Sequence, residues 1–258
     1  MKEIVNRLFN LSGKNGIVTG ASRGIGRAIA FVLAEAGVNL SLISRDKSLL
    51  KKNCEEIKAM GRKAIYIKTN VENKKEVEIA VKDTLQEFGT INILVNCAGI
   101  IIRGSVEEFS EEDFDKIMAT NLKGTFLFSQ AVGKDMIKNK KGKIINISSL
   151  SSVFGGENIP IYSASKGGVK QLTKAMAVAW AKYNVNVNAI GPGFFKTDLT
   201  SDLYNQVEVR EKILRRIPMN RWGDPMADLA GAIIFLSSSA SDYITGQTVY
   251  VDGGYLAY

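Results

Sequence analysis

The chain has 258 residues, 45% hydrophobic and 23% charged, an ordinary globular composition with length enough for a sizeable core. It holds no histidine and two cysteines, Cys54 and Cys97, which excludes His-based triads, His metal sites and a structural zinc centre. The net charge of +8 favours anionic ligands, but the lysines are scattered with glutamates between them, which reads as a solvated face and not a nucleic-acid patch.

Met1 to Arg7 lacks the apolar core of a signal peptide, and no apolar run approaches the ~18 residues of a membrane span. No membrane attachment is expected, and two cysteines in different elements suit a reducing cytoplasm. No repeat or flexible linker divides the chain, and its four prolines all lie after residue 159. One α/β domain over residues 1–258 is expected.

Short apolar runs alternate with helical patterns, which predicts a doubly wound parallel sheet with helices on both faces. The first strand is Asn15 to Thr19. The next helix has apolar residues at Ile25, Ala28, Ile29, Val32, Leu33 and Ala36, and Gly37 ends it. Strands follow at Asn39 to Ser44 and Lys63 to Lys68, with a helix from Lys47 to Met60 between them. Asn73 with Glu76 forms a capping-box signal for a helix ending near Phe88-Gly89. Ile91 to Asn96 is a buried strand. A long helix starts at Ser110 and runs to Lys138. A strand at Lys143 to Ser148, a helix from Ala164 to Lys182 and a strand at Val185 to Ile190 come next. Residues 198–224 form a helical insertion with loops, and a last helix, Ala227 to Leu236, leads to a strand at Thr248 to Val251.

Three places carry chemistry. Thr19-Gly20-Ala21-Ser22-Arg23-Gly24-Ile25-Gly26 joins the first strand to the first long helix, where glycines let the backbone approach a pyrophosphate and the helix start offers free N–H groups. At the end of the second strand stands Ser44-Arg45. With Arg23 it favours the 2′-phosphate of NADP over NAD; Asp46, one position later, is the dissent, unless it serves only to cap the following helix. Tyr162 and Lys166 lie four apart and share a face if the stretch opens a helix. An ammonium beside a phenol lowers its pKa from near ~10 and makes a usable general acid/base. Ser149 puts a hydroxyl just past the fifth strand, at the ligand-binding edge of an open sheet.

These stretches resemble the short-chain dehydrogenase/reductase family. So do Asn96-Cys97-Ala98-Gly99, Asn121-Leu122-Lys123-Gly124, Gly191-Pro192-Gly193 with Thr197, and Asp252-Gly253-Gly254. The resemblance spans residues 19 to 254. It implies a seven-stranded Rossmann-like domain, hydride transfer between a nicotinamide and an alcohol or carbonyl, and a homotetramer. Tyr162 is then the proton donor or acceptor. Lys166 lowers its pKa and binds the nicotinamide ribose, Ser149 hydrogen-bonds the substrate oxygen, and Asn121 holds a relay water. The implied cofactor contacts run from Gly20, Ser22, Arg23, Gly24, Ile25 and Gly26 through Ser44 and Arg45 to Asn70 and Val71. They continue at Asn96, Ala98 and Gly99, and close at Pro192, Gly193, Phe195 and Thr197. Two departures are Cys97, where the family often has Asn, and Asn70, where it often has Asp. Cys97 is expected to pack as a buried hydrophobe.

The stretches Gly99 to Arg103, Gly191 to Thr197, Ile217 to Pro225 and Ser239 to Tyr243 look most like sugar-acid dehydrogenases of the gluconate 5-dehydrogenase and 2-deoxy-D-gluconate 3-dehydrogenase type. Arg103, four residues beyond Gly99, is placed to clamp a substrate carboxylate. Lys196 adds a cation beside the cofactor loop. A 3-oxoacyl-carrier-protein reductase, a secondary-alcohol or steroid-like dehydrogenase and a non-catalytic NADP-sensing regulator remain alternatives. Phe126, Phe128, Met176 and Trp180 exceed what one helix face needs. With the tail Val251 to Tyr258 they are expected to pack against copies of the chain.

Overall fold

A computed structural model describes residues 2–257; Tyr258, expected at a subunit contact, lies outside the described residues. The strands are β1 (Asn15–Thr19), β2 (Asn39–Ser44), β3 (Ala64–Lys68), β4 (Ile93–Asn96), β5 (Gly142–Ile147), β6 (Val185–Pro192) and β7 (Thr248–Val251). They form one parallel sheet in the order β3-β2-β1-β4-β5-β6-β7. The helices are α1 (Lys2–Phe9), α2 (Gly24–Glu35), α3 (Lys47–Ala59), α4 (Lys74–Phe88), α5 (Glu111–Met118), α6 (Gly124–Lys138), α7 (Pro160–Trp180), α8 (Ser201–Asn205), α9 (Val207–Leu214) and α10 (Ala230–Ser237). None of the described helices is long and apolar enough to cross a membrane.

Successive strand residues point to opposite faces, so pairs such as Ile17/Val18, Leu42/Ile43 and Leu94/Val95 feed two separate cores. Val18, Leu42 and Val95 pack with Ile29 and Leu33 of α2, Leu50 and Ile57 of α3, and Ile233 of α10. Ile17, Ile43 and Leu94 pack with Val77 of α4, Phe128 of α6 and Met176 of α7. Phe128 and Met176 are therefore core residues, not the intersubunit residues expected; Phe126 and Val178 are the exposed ones on those helices. Trp180 is only partly buried and packs against the second core.

Four boundaries differ from expectation in ways that matter. A helix, α1, stands where no element is assigned from the sequence. The long helix expected from Ser110 is broken by a π-helical turn, Ala119–Lys123, which contains Asn121; such turns recur at functional sites. The seventh helix starts four residues earlier than expected, because Pro160 at its first position has the helical φ built in. Tyr162 is thus in its first turn. The last helix begins at Ala230, three residues late. The caps behave as the side chains predict. Asp46 accepts from Leu49 N–H at 3.0 Å and Ser110 from Asp113 N–H at 3.1 Å. At Asn73 the cap forms, but the Glu76 carboxylate accepts from Asn70 N–H at 2.8 Å instead of closing the box.

Candidate active site

Strand order reverses between β1 and β4, where open α/β sheets leave a crevice at their carboxyl ends. A cleft of about 850 Å³ opens there. Thr19 ties its two walls together: its hydroxyl accepts from the N–H groups of Cys97 at 3.0 Å and Ala98 at 3.1 Å. Gly20 has φ +68°, and a Cβ on it would stand 2.9 Å from Ala98 Cα. A Cβ on Gly26 would collide with the Gly20 carbonyl. Only glycine permits this turn. From behind, the buried Asn53 of α3 donates to the carbonyls of Ala21 at 2.9 Å and Ser22 at 3.0 Å. The first turn of α2 has no side-chain cap, so its N–H groups face the cleft as an anion site. Arg23 and Arg45 line the cleft with Ser44 and pair with no carboxylate among the described residues. This cradle of backbone amides and two unpaired guanidinium groups fits a dinucleotide carrying an extra phosphate.

Farther along the cleft stand Ser149, Tyr162 and Lys166. Lys166 is 5% exposed and donates from Nζ to the Ile147 carbonyl at 2.8 Å, at the end of β5. Burial lowers its pKa to about 8. Its Nζ lies 5.7 Å from the Tyr162 ring centroid. Lowering of the Tyr162 pKa by Lys166 is the expectation, and the structure corrects it. Burial raises the phenol above its ordinary value, and the Ser149 hydroxyl beside it pulls the other way, as does the charge of Arg103. Tyr162 therefore stands as a neutral phenol, ready to give a proton. Cys97 packs against the first core, as expected, while its partly buried side chain also lines the cleft, and burial pushes its thiol up to about 12.

Asn121 sits behind this pair with no solvent exposure. Its Oδ1 accepts from Ile100 N–H at 2.8 Å, while Nδ2 donates to the Ile100 carbonyl at 3.0 Å and to Ser165 Oγ at 3.0 Å. Ser165 Oγ in turn donates to the Tyr162 carbonyl at 2.8 Å. Both amide protons are committed, so the side chain fixes the loop after β4 and the start of α7.

The chain matches the family model described as enoyl-(acyl carrier protein) reductase over residues 20–256. It is 43% identical over 253 residues to the 2-dehydro-3-deoxy-D-gluconate 5-dehydrogenase of Escherichia coli (strain K12), covering 96% of this chain and 98% of that one. It is 40% identical over 252 residues to the 5-keto-D-gluconate 5-reductase of the same strain, covering 98% and 99%. The chain belongs to the short-chain dehydrogenase/reductase family. The fold agrees. The crystal structure of a gluconate 5-dehydrogenase from Burkholderia cenocepacia J2315, in complex with NADP and tartrate, superposes with a TM-score of 0.95 at 37% identity, covering 98% of this chain and 99% of that one.

In this short-chain dehydrogenase the expected contacts at Gly24, Ile25, Asn70, Val71, Gly99, Pro192, Gly193, Phe195 and Thr197 all line the cleft. Asn96 does not, which corrects its assignment. Its side chain turns into the core, where Nδ2 donates to Ser129 Oγ and Asn146 Oδ1, each at 2.9 Å. Lys196 also lies off the cleft, its ammonium 4.5 Å from the centroid of the Tyr204 ring. Arg103 lines the cleft and is exposed. Phe154, Phe194, Arg216 and Tyr255 complete the wall beyond Tyr162. The resemblance of 217–225 pointed near Arg216, and Phe194 lies within the quoted stretch Gly191 to Thr197; Tyr255, expected at a subunit contact, is buried in this wall instead, and nothing in the sequence marks Phe154.

Proposed function

We propose that this chain is an NADP(H)-dependent oxidoreductase of sugar acids, interconverting a secondary hydroxyl and a ketone as in gluconate and 5-ketogluconate. One observation carries the reading. A neutral Tyr162, a buried Lys166 and Ser149 stand in one cleft with unpaired arginines at both ends, Arg23 and Arg45 on the cofactor side and Arg103 on the substrate side. When bound, the nicotinamide supplies the hydride in reduction and takes it in oxidation. Tyr162 gives its phenolic proton to the carbonyl oxygen as that oxygen gains charge, and Ser149 donates a hydrogen bond to the same oxygen. Reduction leaves a Tyr162 phenolate beside the Lys166 ammonium; in the oxidative direction that phenolate takes the hydroxyl proton and returns to the neutral phenol. Lys166 also holds the nicotinamide ribose. Asn121 acts through Ser165 as a positioning residue. Arg103 offers a planar fork to the substrate carboxylate.

The whole chain acts as one dinucleotide-binding domain. Exposed apolar side chains on three helices, Phe114, Phe126 and Val178, support a homotetramer of closed symmetry. Two free cysteines suit a cytoplasmic setting. The net charge of +8 also suits an acidic acyl-carrier protein as substrate partner. NADPH oxidation measured with 5-ketogluconate beside an acetoacetyl thioester separates the two. Turnover of the sugar acid is expected; turnover of the thioester alone would establish the carrier-protein reading. Turnover of neither substrate would favour a sensor.

A further inference from the structure

Beyond Tyr162 the cleft has a second guanidinium that no step above uses. Arg216 follows α9, where the backbone N–H of Arg216 returns to the Ile213 carbonyl at 3.0 Å. Its guanidinium carbon stands 4.4 Å from the centroid of the Tyr255 ring. That ring is itself fixed: it is buried, stacks on Phe154 at 5.7 Å and leans on Phe194 at 5.3 Å. Two chain segments lock together here, since Met219 N–H donates to the Gly253 carbonyl at 3.1 Å and Gly254 has no room for a Cβ against Pro218. A cation over an aromatic face is held in orientation without being neutralised. Arg216 pairs with no carboxylate among the described residues, and its side chain is exposed to the cleft that it lines.

We propose that Arg216 is a second substrate anchor, which with Arg103 holds the carboxylate of the sugar acid from two walls of the cleft. The proposal rests on the sugar-acid reading and deepens it. Arg103 comes from the loop after β4, while Arg216 comes from the opposite, carboxyl-terminal part of the chain. A carboxylate has about four lone-pair positions and accepts from two forks at once. Neither the thioester group itself nor a neutral alcohol carries an anion for such a pair. The cleft therefore selects a polyhydroxy substrate for the anionic group at its end and leaves the hydroxyls to orient it.

The test uses the full chain loaded with NADPH, on which gluconate binds without reacting because the cofactor is already reduced. Gluconate and its isosteric uncharged gluconamide are titrated by calorimetry into wild type, Arg216→Ala and Arg216→Lys, and KM and kcat are measured for 5-ketogluconate. The expected result is that wild type prefers gluconate to gluconamide by ten-fold or more. Arg216→Ala should lose most of that preference and raise KM for 5-ketogluconate about ten-fold, with kcat changed far less. Arg216→Lys should recover part of the loss, as a point charge without the fork. NADP affinity should not move, and Tm should change little, since what the fold loses is the exposed contact with the Tyr255 ring. An unchanged gluconate-to-gluconamide ratio in Arg216→Ala would overturn the proposal while leaving the sugar-acid reading intact. If wild type binds and turns over no sugar acid, that reading fails first and the anchor falls with it.

Discussion

Lys166→Met separates what the buried ammonium does for chemistry from what it does for stability. Methionine keeps the unbranched stem and removes the charge. Burial brings the Lys166 pKa from 10.5 down to about 8. At ~1.4 kcal/mol per tenfold change, the charged form destabilises the fold by about 3 kcal/mol at pH 7. The substitution also strips the Ile147 carbonyl of its 2.8 Å donor, which costs about 1–3 kcal/mol for an unsatisfied buried acceptor. The two nearly cancel, so the cofactor-free variant should be as stable as wild type or up to about 2 kcal/mol more stable. For a chain of this size that is a rise of a few degrees in Tm. The pH dependence has a definite sign. Between about pH 8 and 10.5 the unfolded chain binds the proton that the folded chain has released, so wild-type stability gains with pH. Any advantage of the variant is full below about pH 8 and shrinks as pH rises toward 10.5. Activity should fall about 10²–10⁴-fold at the same time. Urea unfolding at pH 7 and 10, with NADPH turnover on the same preparations, reads both. A loss of more than about 2 kcal/mol in the variant at pH 7 would refute the burial reasoning.

Tyr162→Phe removes the transferable proton and little volume, so kcat should drop to a few per cent or less while NADP binding, followed by fluorescence titration, stays within two-fold. Arg45→Asp places a carboxylate where a 2′-phosphate is expected; a lost charge-assisted contact predicts a shift in the NADP-to-NAD preference of about ten- to a hundred-fold, and equal wild-type KM values for the two cofactors would contradict it. In the free enzyme, kcat/KM for NADPH should decline as pH rises through about 8, where Lys166 loses its charge. Light scattering at micromolar concentration should show a tetramer, and a stable monomer there would remove the role given to Phe126 and Val178.

Strand positions were legible because burial on both faces makes a run such as Ile93–Asn96 stand out between polar turns. The same two-sided burial hides which way each residue points. No alternation remains to show that Asn96 faces Ser129 and Asn146 instead of the cofactor. A similar ambiguity misassigned Phe128 and Met176, since apolar residues all round a helix do not say which face meets the sheet. The π-helical turn at Asn121 has no composition signal, because it is one extra residue in a hydrogen-bond register. Pro160 was the available signal for an earlier start to α7, and it places Tyr162 in the first turn. The glycine turn and Tyr162/Lys166 were legible because their chemistry is local. Asn53 bracing the turn, Ser165 linking Asn121 to Tyr162, and Tyr255 supporting Arg216 depend on contacts between distant parts of the chain. No pattern within a single element encodes them.

The claim that the cleft performs hydride chemistry on an anionic polyol is tested most directly by Arg103→Ala. Its KM for 5-ketogluconate with NADPH is compared with that for an uncharged ketone. A truncated buried arginine–carboxylate contact is worth ~2–5 kcal/mol; the exposure of Arg103 puts the expectation at or below the lower end, a rise in KM of about ten-fold for the sugar acid, with the uncharged ketone and NADPH affinity unchanged. An equal effect on both substrates, or none on either with full activity on an acyl thioester, would contradict the account.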